Sequence, residues 1–362
     1  MALLVGKESR VDRPIRVLID NRERHWGQNP FVQLWSESVD SDIQLVPFTW
    51  SRALLGRYDI VHFNWPEYLF VYRNRVKHLA GWLLTLCLAA RMKATQIPYV
   101  RSFHDIEPWV SVGVFDRFLI RILDRLVSHV VYLTDPRPLG VQYRAAISGK
   151  PVSLIKHPEY GPLLNSLEKQ EVPEHDQFPF LLCFGILRPY KSYETVIDAF
   201  LKRDAQSKVK LKIMGAAPDP EYLEALEQRI NKSPLIELHA GRVSDEALVQ
   251  EISAARCVVV PYQRLYNSGV VFMALSIGAP VLLRSGPVAS ELQQEYGDQL
   301  VRMYDGQITA SDIDALLSAP KPSKVQTPAE RTWEYAGKQY SGLYRRLLGK
   351  ESAALQDRSC SQ

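Results

Sequence analysis

Short apolar runs rich in β-branched residues alternate with segments of helical period along most of this chain. IRVLID (Ile15–Asp20) reads as a strand, followed by the polar loop NRERHWGQNP. FVQLWSESV comes next, with Pro30 suited to the first turn of a helix. IQLVPFTW (Ile43–Trp50), YDIVHFNW (Tyr58–Trp65), IPYVRSFHD (Ile97–Asp105), HVVYLTD (His129–Asp135) and VSLIKHP (Val152–Pro158) give five more strands. Between them lie two helical stretches, LAGWLLTLCLAA (Leu79–Ala90) and FDRFLIRILDRLVSHVV (Phe115–Val131). In the second, Phe118, Ile122, Leu126 and Val130 repeat at four-residue steps, with Arg117, Arg121, Asp124 and Arg125 between them. Strands alternating with helices predict βαβ units and a mainly parallel sheet.

The alternation breaks at EYGPLLNSLEKQEVPEHDQFP (Glu159–Pro179), a polar, proline-bearing stretch that reads as a linker. It then restarts. FLLCFGI, VKLKIMG, LIELHAG, CVVVPY and APVLLR are strands, and SYETVIDAFLKR, PEYLEALEQRINK, SDEALVQEISAA and SGVVFMALSIG are helices. Ser244 suits an N-cap, with acids in the first turn behind it. The expected organisation is an N-terminal α/β domain over residues 1–158, a linker over 159–179 and a second α/β domain over 180–331. A last helix over 332–350 and a tail over 351–362 follow. A ligand cleft is expected between the two domains.

A length of 362 residues suits two domains, and 46% hydrophobic with 23% charged residues is ordinary globular composition. The four cysteines lie far apart without a CxxC pair, which excludes a disulfide scaffold or a zinc ribbon and fits a reducing compartment. MALLVGKESRVDRP has too short an apolar run for a secretory signal, so a cytoplasmic location is expected. Charge is uneven: residues 1–150 hold 20 Lys and Arg against 14 Asp and Glu, net +6, whereas the remainder is net −2. A basic half suits an anionic partner. No zinc-finger or RNP-type pattern is present, so nucleic acid is not expected. Leu79–Ala90 is 12 residues long, and a spanning helix needs roughly 20. It reads either as a core helix or as one that docks at a membrane surface, with Arg73, Arg75, Lys77, Arg91 and Lys93 facing headgroups.

The candidate chemistry sits where strands end. In FGILRPYKSYETVIDAF a strand ends at Gly185, Arg188 and Lys191 follow, and a helix starts near Ser192. Cations beside a helix N-terminus make an anion site. In PYQRLYNSGVVFMALSIG the loop Tyr266-Asn267-Ser268-Gly269 leads into a helix whose first amides, with the Ser268 hydroxyl, suit phosphate oxygens. Gly269 lets the backbone come close. Glu291 stands near a further helix start. In the first half, Glu67, His104, Asp105 and Glu107 are the polar groups expected to face the cleft. DSD (Asp40–Asp42) and DID (Asp312–Asp314) match a DxD metal motif, but neither follows a strand as a metal–diphosphate site requires. GxGxxG, Walker A, HExxH and GxSxG are absent.

Together these segments resemble the donor half of GT-B-fold glycosyltransferases, nucleotide-sugar enzymes with two facing Rossmann-like domains. Gly185 and Lys191 keep that family's glycine–lysine spacing, with Arg188 in place of its usual arginine. HAGRVSDEALVQEISAARCVVVPY resembles the strand–helix–strand before the donor loop, and TWEYAGKQYSGLYRRLL the last helix, which in that fold crosses back to the first domain. The common retaining members carry an ExxxxxxxE pair; by register those positions are Leu265 and Met273 here. The YNSG loop is similar to that of a smaller subset, bacterial exopolysaccharide transferases that include GDP-mannose-dependent mannosyltransferases. HFNWPEYLF, RSFHDIEPW and Asn29-Pro30 are similar to that subset's acceptor-side segments.

The resemblance implies an α/β fold of two Rossmann-like domains facing a cleft. It also implies transfer of a hexose from a nucleotide-diphosphate sugar to a saccharide or lipid-linked acceptor, without metal or cofactor. Gly185, Arg188, Lys191, Tyr266, Asn267, Ser268, Gly269 and Glu291 are the donor-side residues; His104, Asp105, Glu107 and Glu67 are the acceptor-side and catalytic candidates. The basic first domain suits an acceptor presented at the inner face of the plasma membrane. The sugar and the stereochemistry stay open. So do two other readings: a sugar-nucleotide epimerase of GT-B-like fold and a non-enzymatic two-domain sugar-binding protein.

Overall fold

A computed structural model of the protein describes residues 13–21, 30–70, 72, 74–105, 113–134, 147–166, 179–203, 209–319 and 326–350. Packing divides the chain into two units. Unit 1 takes Met1–Tyr132, Gly140–Ile155 and Gly337–Gln362; unit 2 takes Leu133–Leu139 and Lys156–Ala336.

Unit 1 is built on strands β1 (Ile15–Ile19), β2 (Ile43–Pro47), β3 (Ile60–Phe63), β4 (Tyr99–Phe103), β5 (His129–Tyr132) and β6 (Val152–Leu154). Its helices are α1 (Pro30–Ser38), α2 (Trp50–Leu55), α3 (Arg75–Thr95) and α4 (Val114–Arg125). The strands form one parallel sheet in the order β2-β1-β3-β4-β5-β6. β3 and β4 are buried at every position, as expected for strands covered on both faces.

Unit 2 begins with α5 (Gly161–Ser166), then β7 (Phe180–Phe184), α6 (Tyr193–Leu201), β8 (Lys210–Gly215), α7 (Pro220–Ile230), β9 (Ile236–Ala240), α8 (Asp245–Ala254) and β10 (Cys257–Val260). It continues with α9 (Gly269–Ile277), β11 (Val281–Arg284), α10 (Pro287–Tyr296), β12 (Val301–Tyr304) and α11 (Ala310–Ser318). Its parallel sheet runs β12-β11-β10-β7-β8-β9. Local chemistry fixes the helix starts: Asp219 caps α7 ahead of Pro220, and Ser244 caps α8 by accepting from the Ala247 amide. The last helix, α12 (Trp333–Leu347), gives its first residues to unit 2 and the rest, from Gly337, to unit 1. In unit 1 it packs Tyr340 on Trp35, and the Tyr344 hydroxyl hydrogen-bonds His62 Nδ1 at 2.7 Å.

Three expectations are corrected, and two further elements were not foreseen. Trp50 opens α2, capped by Thr49, and does not end a strand. Glu159–Ser166 is not linker: it holds α5 and is tied into unit 2, where Tyr160 N donates to Ser276 Oγ. β12 and α11 form from VRMY and ASDIDALLS, whose mixed patterns carry no strand or helix signal by alternation alone. The apolar stripe of α4 is rotated: Asp116, Leu119, Ile120, Leu123 and Asp124 are buried, and Phe118 is 47% exposed. Two acids on the buried face mask it in the sequence. Asp116 accepts from Trp82 Nε1, His78 Nε2 and the Gly113 amide, and Asp124 lies 3.8 Å from Arg101 Nε.

The first half of α3 likewise faces outward. Val76, Leu79 and Leu83 are more than half exposed, and Gly81, Thr85, Leu88, Ala89 and Met92 are its buried residues. Among the described residues no helix is long and apolar enough to cross a membrane.

Candidate functional site

In an open parallel sheet, ligands bind beyond the carboxyl ends of strands, where the strand order reverses. Unit 1 reverses between β1 and β3, and unit 2 between β7 and β10. The chemistry-bearing side chains collect at both places.

At the first reversal, Asp20 follows β1 and reaches across to the loop after β3. Its carboxylate accepts from the Asn64 amide at 2.8 Å, from the Trp65 amide, and from Asn64 Nδ2. With the Asn64 amide nitrogen turned to Asp20, its oxygen accepts from His104 Nε2 at 2.9 Å. The Asn64 carbonyl accepts from Arg101 Nη1 at 2.7 Å. Trp65 lies 4.5 Å from the His104 ring and donates through Nε1 to Asp105. Pro66–Leu69 then makes a short 3-10 turn that carries Glu67 inward. Asn64, Trp65, Glu67, Arg101, Phe103, His104 and Asp105 line one tight recess.

The charges in this cluster are unusual. Burial pushes Asp20 up to about 6 and raises Asp105, although Asp20 is partly held down by the loop amides and Arg101. Glu67 is 2% exposed, and its Oε2 accepts no hydrogen bond among the described residues. Burial pushes it up to about 7, against the pull of Arg101. A carboxyl titrating at working pH with an open oxygen is what a general base requires. His104 is buried between Phe31 and Trp65, and its Nε2 is committed to Asn64. That suits a positioning group. Thus His104, Asp105 and Glu67 come together, while Glu107 and Asn29 lie outside the described residues. Sequence reasoning passed over Asp20, Asn64 and Arg101 as site residues. An acid closing an apolar strand, as in IRVLID, is the signal that could have found Asp20.

At the second reversal, Gly185 closes β7 with φ +105°, a conformation that favours glycine. A Cβ there would lie 2.9 Å from Lys191 Nζ and 3.1 Å from Val270 in α9, so the cation and the helix start meet over one point of backbone. Lys191 is 7% exposed, and its ammonium sits 5.0 Å over the Tyr262 ring. Burial and the neighbouring Arg188 guanidinium pull its pKa down to about 8. Tyr266 and Ser268 are buried, and Asn267 Oδ1 is buried without a hydrogen bond among the described residues. Ser268 occupies the N-cap of α9 but makes no side-chain cap bond, which leaves the first-turn amides available. Two cations and a helix N-terminus over one spot form a pole for an anion.

Glu291 is engaged elsewhere. It lies one turn into α10, where Oε2 accepts from Thr134 Oγ1 at 3.0 Å and Oε1 lies 3.7 Å from Arg331 Nη2 and 4.0 Å from Lys156. Glu295 completes the network with Lys156 and Arg331. The Arg331 guanidinium and the His157 ring both pack on Phe272, so this network steadies α9. The two DxD-like pairs are also accounted for. Arg345 bridges Asp40 and Asp42, Asp312 caps α11, and Asp314 pairs with Arg203. Among the described residues no group of three or more His, Cys, Asp or Glu could hold a metal ion.

Residues 165–333 match the family described as "Glycosyl transferases group 1". The chain is 28% identical over 346 residues to the GDP-mannose:glycolipid 4-beta-D-mannosyltransferase of Xanthomonas campestris pv. campestris, covering 94% of this chain and 95% of that one. Among solved structures it is similar to Anabaena HepE in complex with UDP and glucose (TM-score 0.59, 15% identity, 92% of this chain and 95% of that one). It is also similar to sucrose-phosphate synthase from Thermosynechococcus elongatus (TM-score 0.61, 16% identity, 94% and 100%).

Proposed function

Starting from a hexosyltransferase of GT-B fold, with a glycosyl transferases group 1 domain over residues 165–333, we propose that it moves mannose from GDP-mannose to a glycolipid acceptor. The observation that carries this reading is the Gly185–Lys191 loop meeting the start of α9 inside that domain. Breaking the bond from sugar C1 to the diphosphate builds negative charge on the leaving phosphate. Lys191, Arg188, the Ser268 hydroxyl and the first amides of α9 stabilise it as fixed charges and dipoles. Tyr266, Asn267 and Gly269 shape the same loop. This donor set needs neither a metal ion nor a cofactor.

A β-mannoside formed from an α-linked donor requires inversion at C1, and inversion requires a base for the acceptor hydroxyl. Glu67 takes that role. Asp20 and Asp105 are already bonded to Asn64 and Trp65 and hold the recess in shape. His104 orients Asn64.

A glycolipid acceptor places unit 1 at a membrane. The outward halves of α3 and α4 expose Val76, Leu79, Leu83, Val114, Phe115 and Phe118. Trp82 packs on Phe115, and Asp116 ties the two helices together. Exposed Arg75, Lys77, Arg117, Arg121 and Arg125 accompany this patch, a pattern suited to peripheral docking on the anionic inner leaflet.

A thermal-shift screen with GDP, UDP, ADP and their sugars tests the donor. Stabilisation by GDP and GDP-mannose above the others is expected; stabilisation by UDP or ADP alone overturns the mannose reading.

A further inference from the structure

Tyr160 sits in unit 2 just before α5. It is 7% exposed. Its amide donates to Ser276 Oγ near the end of α9, its carbonyl accepts from Leu164, and its ring lies beside His157. From this anchor the phenol runs back along α9 to the opposite end. A Cβ on Gly269 would lie 3.2 Å from Tyr160 Oη and 4.0 Å from Cζ.

The hydroxyl makes no hydrogen bond to any described residue, although the rest of the side chain is packed. The residue is packed, but its hydroxyl is not sealed off as those of Tyr262 and Tyr266 are, so a ligand can reach it. The hydroxyl ends at the first residue of α9, beside amides that have no intrahelical acceptor. Ser268 adds a second hydroxyl that caps nothing. Lys191 and Val270 meet over Gly185 at the same helix start. Apart from the Asn267 carbonyl oxygen, the groups at this helix start are amides, hydroxyls and the Lys191 ammonium, so the complementary ligand is an anion rich in acceptors. Burial drives the phenol pKa far above neutrality, which keeps Tyr160 a neutral donor at any working pH.

We propose that the Tyr160 hydroxyl is a ligand to the donor's diphosphate, donating to a phosphoryl oxygen at the N-terminus of α9. This rests on the nucleotide-sugar reading above. Gly269 would then be required for two reasons: the diphosphate's approach, and the space that keeps this hydroxyl open.

The test is isothermal titration of wild-type protein and Tyr160→Phe with GDP and with guanosine. Phenylalanine keeps the ring and every backbone bond, so the melting temperature should not fall. Loss of a hydrogen bond to a charged group should weaken GDP by roughly 10- to 100-fold and leave guanosine unchanged. Unchanged GDP affinity overturns the proposal, as does an equal loss for guanosine, which would put the hydroxyl on the nucleoside. If wild-type protein binds none of GDP, UDP and ADP, the nucleotide-sugar reading falls and this inference falls with it. If wild type binds GDP and the variant binds it equally well, this inference alone falls.

Discussion

Replacing Glu67 with glutamine probes the chemistry of unit 1 most sharply. The change keeps shape and removes the charge from a side chain that is 2% exposed, with one oxygen unbonded. Burial raises its pKa from 4.5 to about 7, so in wild type the base is half ionised near neutrality. kcat/KM should therefore fall as pH drops through 7. At pH 5 about 1% of Glu67 is ionised, so the rate should be down about 100-fold from its plateau. Glu67→Gln should lower the plateau about 10²–10⁴-fold and abolish that acid limb. Its stability should move the other way. A carboxyl with a raised folded pKa contributes stability below about 4.5 that is lost as pH rises through about 7. Neutral glutamine lacks that loss, so the variant should melt no lower than wild type at neutral pH. The assay is a pH–rate profile for both proteins with saturating acceptor, beside thermal melts. Turnover within a few-fold of wild type, with the acid limb still near pH 7, would refute Glu67 as the base.

Lys191→Ala should cut turnover about 10²–10³-fold with an unchanged circular dichroism spectrum, since it removes a charge aimed at the leaving phosphate. In wild type, GDP affinity by calorimetry should weaken as pH rises through about 8, where the free-enzyme ammonium loses its proton. Arg331→Ala should destabilise unit 2 by about 1–3 kcal/mol in urea unfolding, because it removes a buried guanidinium and leaves Glu295 to Lys156 alone. Glu291→Gln should lower the melting temperature while leaving the donor KM near wild type. Leu79→Asp with Phe118→Asp, both at exposed positions, should abolish flotation with anionic vesicles and leave donor binding intact; equal flotation with neutral and anionic vesicles would count against docking.

The strands were legible because parallel strands buried on both faces must be nearly continuous apolar runs, as in FLLCF and CVVV. The glycine and lysine after β7 were legible for a related reason. A glycine with positive φ, a lysine and a helix start are local requirements, and local requirements leave spacing in the sequence. What depends on partners far along the chain was hidden. Asp124 read as a polar-face residue until Arg101 appears beside it, and Asp116 is explained only by His78 and Trp82. Glu291 read as a donor group because its tie to Thr134 spans 157 residues. The sequence set Arg101 inside the strand YVRSF, with nothing to say that four buried carboxyls, Asp20, Glu67, Asp105 and Asp124, would share its charge. Tyr160 fell in what looked like linker, so its approach to Gly269 could only come from three dimensions.

The central claim is transfer with inversion from GDP-mannose to a lipid-linked saccharide. The direct test is to incubate the protein with GDP-mannose, with and without such an acceptor and in the presence of a chelator. The new linkage is then assigned by NMR. The account predicts a β-mannoside that forms only when acceptor is present and forms equally well with chelator. An α-linked product would contradict it. So would conversion or hydrolysis of the donor at the same rate without acceptor.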